Sequence, residues 1–272
     1  MQTEQYRHLE WWNNHLGSLV LADITPNTIS ELRDRLLTEI GPRGKRRSPA
    51  TTARYLAALS HVYSVATREW EWIPDNPVLK VKKPKEPKGR VRFLSDEERT
   101  KLLNAAKESN SSYLYPVIVL ALSTGARRME IMNLTWDDVD IHRGVAILHE
   151  TKNDERRALP ITSHALELLK ELSKVRRPDT KLLFPRADGQ KPIELRSAWE
   201  RAMREAQIED FKFHDLRHST ASYLAMNGAT LAEIAEVLGH KTLAMVKRYA
   251  HLSDQHTHSV VDRMNKKIFG GS

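Results

Sequence analysis

A chain of 272 residues exceeds the usual single-domain length, so two domains are expected, each able to bury a core. With 40% hydrophobic and 29% charged residues the composition is that of a soluble globular protein, and with no cysteine it excludes thiol catalysis, a disulfide framework and cysteine-based zinc sites. The formal net charge of +8 points to a polyanionic partner, although a solvated positive face would account for it as well.

No apolar run reaches the roughly 18 residues of a membrane span, and the opening MQTEQYRHLEWW lacks the apolar centre of a signal peptide. A soluble protein of a reducing interior is therefore expected. Residues 5–16 place Leu9, Trp12 and Leu16 on one helical face, with Tyr6 and Trp11 nearby, a spacing that suits core packing better than base stacking. Thr25-Pro26 starts a second helix, a hydroxyl cap followed by a proline in the first turn, where no amide bond is lost. Ile29, Leu32, Leu36 and Ile40 keep its period, and Gly41, Pro42 and Gly44 end it inside a basic loop, GPRGKRRS. Ser48-Pro49 repeats the start signal for a longer helix with a broad apolar face of Tyr55, Leu56, Leu59, Val62, Tyr63, Val65 and Ala66, stopping near Trp72-Ile73-Pro74.

The following PDNPVLKVKKPKEPKGR is rich in Pro and Lys and carries no helical period, so it reads as a linker between domains. The expected division is a small helical domain over residues 1–84, a basic linker over 85–92 and a second domain over 93–272. Lys45, Arg46 and Arg47 in the first basic stretch, with Lys82, Lys83, Lys85, Lys88 and Arg90 in the second, are the candidate phosphate contacts.

In the second domain Ser95 and Glu98 form a capping box for a helix carrying Leu102, Leu103 and Ala106. Residues 113–122 are apolar on nearly every side and predict the central buried helix, ending at Thr124-Gly125. A new helix then begins with Arg127 near its first turn, where free amides and the helix dipole can add to the guanidinium in holding a phosphate. Glu130 can reach back to orient Arg127, while Arg128 reads most simply as a surface charge. Gly144 precedes a strand at 145–148, with 156–160 as its returning partner and Lys152 on the turn between them, ordinarily an exposed structural position.

Ser163 caps a helix carrying Ala165, Leu168, Leu169 and Leu172, and residues 192–206 predict another with Leu195, Trp199, Ala202 and Met203 inward. His214, Arg217 and His218 stand at i, i+3 and i+4, so they can share one helical face. Gly228 ends that helix, Thr230 caps the next, Gly239-His240 ends it, and Thr242 caps a further helix bearing Tyr249. Beyond it Val260, Val261, Met264 and Ile268 form a small apolar stripe, open either to a partner subunit or to packing on its own domain.

Three chemistries compete for these residues. His214 and His218 have the spacing of a zinc pair, but the HExxH pattern is absent and Arg217 would put a positive charge beside the cation. TLAEIAEVLGHKTLAMVKRYA has the outline of a helix-turn-helix DNA reader, which leaves Arg127 and the His214–Arg217 pair without a role. Phosphoryl transfer to tyrosine uses them all. A phosphodiester attacked by a phenol gains negative charge on its non-bridging oxygens, which two arginines can clamp, while a lysine delivers a proton to the leaving hydroxyl and histidines donate or exchange protons. A phenol is a poor nucleophile at its free pKa near 10 and needs such a cationic nest.

TGARRME, the hairpin lysine Lys152, HDLRH, LGH and the tyrosine nine residues after His240 together resemble the signature of the tyrosine recombinases, the phage-integrase family, over residues 124–249. The resemblance implies a mainly α fold with a small antiparallel β-hairpin or sheet in the catalytic domain, a two-domain DNA clamp of the DNA breaking-rejoining enzyme class. It implies that Arg127 and Arg217 bind the scissile phosphate, that Lys152 is general acid, that His214 and His240 assist, that Tyr249 forms a 3'-phosphotyrosyl link and that Glu130 is the supporting acid. It implies a site-specific recombinase or integrase, prokaryotic or phage-encoded, that needs no metal or nucleotide cofactor and acts as a homotetramer on double-stranded DNA carrying its recombination site, in the cytoplasm at the nucleoid. A type IB topoisomerase-like relaxing enzyme and a non-catalytic DNA-binding relative are the alternatives. The N-terminal half resembles the family's core-binding domain more loosely, through Gly17-Ser18-Leu19-Val20-Leu21, and an additional arm-binding domain is expected to be missing.

Overall fold

The computed structural model describes residues 4–41, 44–87, 91–149 and 157–269, with backbone alone over 253–259. Contacts divide the chain into two units, Met1–Gly89 and Arg90–Ser272. The architecture is mainly helical, with one small antiparallel sheet in the second unit. Among the described residues no helix is long and apolar enough to cross a membrane.

The first unit packs three helices, α1 (Glu4–Leu16), α2 (Pro26–Thr38) and α3 (Pro49–Arg68). His8, Trp12 and Leu16 recur every four residues on the buried face of α1, and the Trp12 indole donates to the Tyr55 carbonyl at 2.8 Å, satisfying its polar atom inside the core. Both proline-started helices are capped as their sequences predict: Thr25 Oγ1 accepts from the Thr28 amide and Ser48 Oγ from the Thr51 amide. Ile40 does not extend the α2 face. The helix ends at Thr38, and Ile40 lies outside, 68% exposed and bridged to Arg46. The stretch read as linker begins with a 3-10 turn, Pro77–Lys80, capped by Asn76, whose amide nitrogen also bonds Ser60 and Ser64. Val78 and Val81 join the core of this unit, so its first residues are packed rather than spanning.

The second unit is built around α5 (Leu114–Thr124), whose residues 116–121 are all buried. Against it pack α4 (Asp96–Lys107), α6 (Arg128–Met132), α7 (Ser163–Lys174) and α9 (Asp215–Met226). The Ser95–Glu98 capping box opens α4. The strands β1 (Val139–Asp140), β2 (Val145–Leu148) and β3 (Arg157–Pro160) pair antiparallel in that order, with Ala146 opposite Leu159 and Ile147 opposite Ala158. The two-residue β1 is too short to carry an alternating pattern, which is why the sequence does not announce it. The remaining helices are α8 (Arg196–Glu205), α10 (Leu231–Leu238) and α11 (Asp254–Phe269).

Three boundaries differ from expectation. The cap position of α7 is Thr162, not Ser163, which is its first residue at φ +50°. Helix α8 starts at Arg196 rather than Pro192, because the preceding residues pair as extended chain, the Ile193 amide donating to the Phe184 carbonyl at 2.9 Å. After Thr242, which makes no side-chain cap, the chain forms two 3-10 turns, Leu243–Met245 and Lys247–Ser253, in place of an α-helix. Val246, between the two turns, and Tyr249, in the second, are three residues apart and both buried, in keeping with the three-residue period of 3-10 backbone.

Ile118 lies at the centre of α5 and is fully buried. Ile118→Ala is expected to lower the unfolding free energy by about 2–5 kcal/mol, read from urea denaturation followed by circular dichroism.

Candidate active site

Arg217 is the buried polar centre of the second unit. Its side chain projects from α9, one turn in from the N-terminus, and the residue is 5% exposed. Nη1 donates to the Gly125 carbonyl and Nη2 to the Leu238 carbonyl, each at 2.6 Å. One guanidinium thus joins the turn after α5 to the end of α10. Both acceptor turns need the left-handed backbone: Gly125 has φ +61° and Gly239 has φ +64°. A Cβ at Gly125 would strike Leu238, and one at Gly239 would strike the Arg157 guanidinium.

Arg127 occupies the cap position of α6. Its amide donates to Glu130 Oε2 at 2.8 Å and its Nη1 to Glu130 Oε1 at 2.5 Å, so the predicted pairing is present. One amide of the expected phosphate cradle, that of Arg127 itself, is taken by the Glu130 carboxylate. Helix α6 is a single five-residue turn. The Arg127 guanidinium stays partly exposed and open to an anion. Arg128 pairs with Glu194 at 2.5 Å on the surface and stacks over Phe213, in keeping with its reading as a surface charge.

Arg157, on β3, was not singled out from the sequence. Its Nη2 donates to Glu130 Oε2 at 3.0 Å and its Nη1 to the Val237 carbonyl at 3.3 Å. Glu130 therefore sits between two arginines, its side chain only 7% exposed. Burial alone would raise its pKa, but the Arg127 amide and guanidinium and the Arg157 charge outweigh it and hold the carboxyl below its ordinary range. The one signal available in advance was an arginine opening an otherwise apolar strand.

His214 stands at the cap position of α9 without a side-chain cap bond, and His218 follows one turn on, their rings 5.4 Å apart edge to face. Burial and the Arg217 charge push His214 below its ordinary pKa. His240 follows Gly239, with its buried Nδ1 unpartnered among the described residues. Burial, then the charges of Arg217, Arg127, Arg157 and Arg248, push His240 down to about 4, so it is neutral at physiological pH. Tyr249 is 2% exposed, packed among Ala221, Ala225, Ile234, Leu238 and Val246. Burial raises its phenol above the ordinary value, opposed by Arg248 and Arg217. Burial and repulsion from Arg127 and Arg157 lower Arg217 to about 10, which leaves it charged at neutral pH. The fold thus gathers Arg127, Glu130, His214, Arg217, His240 and Tyr249 in one electrostatically coupled neighbourhood. Lys152 lies outside the described residues, between β2 and β3.

The candidate phosphate contacts of the first unit divide. Lys45, Arg46, Lys82, Lys83 and Lys85 are exposed. Arg47 is turned inward: its side chain is 9% exposed, 3.4 Å from Glu39 and stacked on Tyr55. Lys88 and Arg90 lie outside the described residues.

Comparison with known proteins bears on the family and the fold. Residues 92–256 match the model of the phage integrase family. The chain is 37% identical over 234 residues to a shufflon-specific DNA recombinase of Escherichia coli, covering 85% of this chain but 59% of that protein's length. It is 30% identical to the integrase of Salmonella phage P22, over 96% of this chain and 74% of the relative. Among solved structures, the catalytic domain of bacteriophage HP1 integrase aligns over 67% of this chain and all of that domain, with 27% identity and a TM-score of 0.52. The site-specific recombinase XerH, in a post-cleavage complex with its difH substrate, aligns over 94% of this chain and 78% of its own, with 21% identity and a TM-score of 0.77, and so shares the fold. By the family match across more than half its length and by its identity to integrases and recombinases, the chain belongs to the phage integrase family of tyrosine recombinases.

Proposed function

We propose that this chain is a site-specific recombinase or integrase, which cuts and rejoins DNA strands through a 3'-phosphotyrosyl intermediate. The observation that carries the reading is the position of Arg217, which holds the turn leading to Arg127 and the turn leading to His240, one residue from the histidine bonded to Tyr249. Arg127 and Arg217 bind the non-bridging oxygens of the scissile phosphate, where charge grows as the phenol attacks. Tyr249 Oη bonds to phosphorus, the bond from phosphorus to the 5'-oxygen breaks, and Lys152 protonates the departing hydroxyl. His214 and neutral His240 donate hydrogen bonds to the phosphate, and Glu130 orients Arg127. Attack by a second 5'-hydroxyl reverses the steps, so phosphodiester energy is conserved in the linkage without metal or nucleotide.

Residues 1–84 serve in this reading as a helical core-binding domain of the SAM-like kind, 85–92 as a basic linker and 93–272 as the catalytic domain with its tail. Lys45, Arg46, Lys82, Lys83, Lys85, Lys88 and Arg90 supply phosphate contacts that position the duplex without reading its sequence. The active assembly is a homotetramer on two DNA sites, in a prokaryotic or phage-infected cell. The relatives named for integrases and recombinases support this over relaxation of DNA.

Sequencing DNA covalently trapped on the protein in cells returns the site, from which a nicked suicide duplex can be built. Incubated with it in EDTA, the wild-type chain is expected to form a covalent adduct that Tyr249→Phe abolishes. Persistence of the adduct in that variant, or a strict metal requirement, would sink the mechanism. Arg127→Ala should slow adduct formation by about 10²- to 10³-fold, the usual loss for one positioned donor, while gel-shift affinity for the duplex changes far less. Relaxation of any supercoiled plasmid lacking the site would favour the topoisomerase reading instead.

A further inference from the structure

His218 has no part in the scheme above, yet it is the side chain that touches the proposed nucleophile. Its Nδ1 lies 2.5 Å from Tyr249 Oη, and among the described residues no other side chain is hydrogen-bonded to that hydroxyl. The ring centroids are 6.1 Å apart. The contact joins residues 31 positions apart in sequence, so it depends on the packing of α9 against the 3-10 turn Lys247–Ser253. We propose that His218 is a catalytic base for strand cleavage, taking the phenolic proton of Tyr249 on Nδ1 as Oη attacks phosphorus. The assignment rests on Tyr249 being the nucleophile.

Chemical need and chemical capacity agree. A buried phenol loses the water that would stabilise its anion, so a proton acceptor at contact distance is needed at neutral pH. The groups facing His218 are His214, Asp215 and Arg217 on α9 and Arg248 on the 3-10 turn. Burial first, then His214, Arg248 and Arg217, lower its pKa against the opposing pull of Asp215, so the ring is neutral and can accept. The O–H bond of Tyr249 breaks, its proton passes to Nδ1, and the electron pair left on Oη forms the bond to phosphorus. The bond to the 5'-oxygen breaks, and that oxygen is protonated by the general acid. In religation the imidazolium returns its proton to the departing phenolate. His214, one turn away, remains free to face the phosphate.

The test measures adduct formation in single turnover on the nicked suicide duplex for wild type, Tyr249→Phe and His218→Gln. Glutamine can still accept a hydrogen bond from the phenol but cannot take its proton. His218→Gln is expected to keep the wild-type melting temperature and gel-shift affinity and to cleave about 10²- to 10⁴-fold more slowly. Replacing Tyr249 in that variant with the more acidic 2,3-difluorotyrosine should restore at least tenfold, a rescue that a structural role would not produce. Cleavage by His218→Gln at the wild-type rate or faster, with Tyr249→Phe inactive, overturns the base assignment and leaves the nucleophile standing. An adduct formed by Tyr249→Phe overturns the nucleophile and this inference with it. If the glutamine variant does not fold, ¹⁵N NMR of the unaltered chain decides: an unprotonated, hydrogen-bonded Nδ1 on His218 at pH 7 supports the assignment. A proton on Nδ1 makes His218 the donor and overturns it.

Discussion

The second unit depends on a guanidinium held between two backbone carbonyls. Arg217 is buried, where a charge is costly unless its donors are satisfied, and the carbonyls of Gly125 and Leu238 satisfy two of them at 2.6 Å. Those carbonyls belong to the turns that end α5 and α10. Arg127 follows the first turn and His240 the second, so the burial of one side chain sets the separation of three proposed phosphate ligands. The glycines at these turns serve the same end: their left-handed conformation aims each chain end at Arg217, and the absent Cβ makes room for Leu238 and Arg157.

A second layer of charge supports this one. Glu130 receives the amide and guanidinium of Arg127 together with the guanidinium of Arg157, linking α6 to the strand β3. Arg157 also donates to the Val237 carbonyl at the end of α10. The strand β3, which follows Lys152 in sequence, is therefore tied to the same turns that Arg217 joins. Burial and the positive surplus act on the groups within it. Arg217 is lowered to about 10 and His240 to about 4, each by burial followed by surrounding arginines, an environment that a phosphodiester anion would relieve.

Much of this was legible along the chain. The capping boxes and proline starts of α2, α3 and α4 are local, since cap and partner lie within four residues, and the apolar envelope of α5 needs no partner to be recognised. The pairing of Arg127 with Glu130 follows from their spacing at i and i+3. What failed was less local. The two residues of β1 carry no period, the start of α8 is delayed by the bridge of Pro192 to Pro185, and the region around Tyr249 takes 3-10 turns because Val246 and Tyr249 must both reach the core. Arg47, a candidate phosphate contact in the sequence, and Arg157, which no pattern marked, are both turned inward.

By itself the sequence determined the helical class, the central buried helix and a set of candidate residues whose types and order match the family signature, because each of these rests on short-range pattern or side-chain chemistry. Only the tertiary structure decided which of those residues share an environment. It selected Glu130 as the meeting point of two arginines, placed the Arg127 amide on that carboxylate, and put His218 rather than His214 on the Tyr249 hydroxyl. The reason is physical: burial sets the partners and protonation of each group, and burial comes from contacts between segments far apart in sequence, such as Arg217 with Gly125, 92 residues away, that no local spacing records.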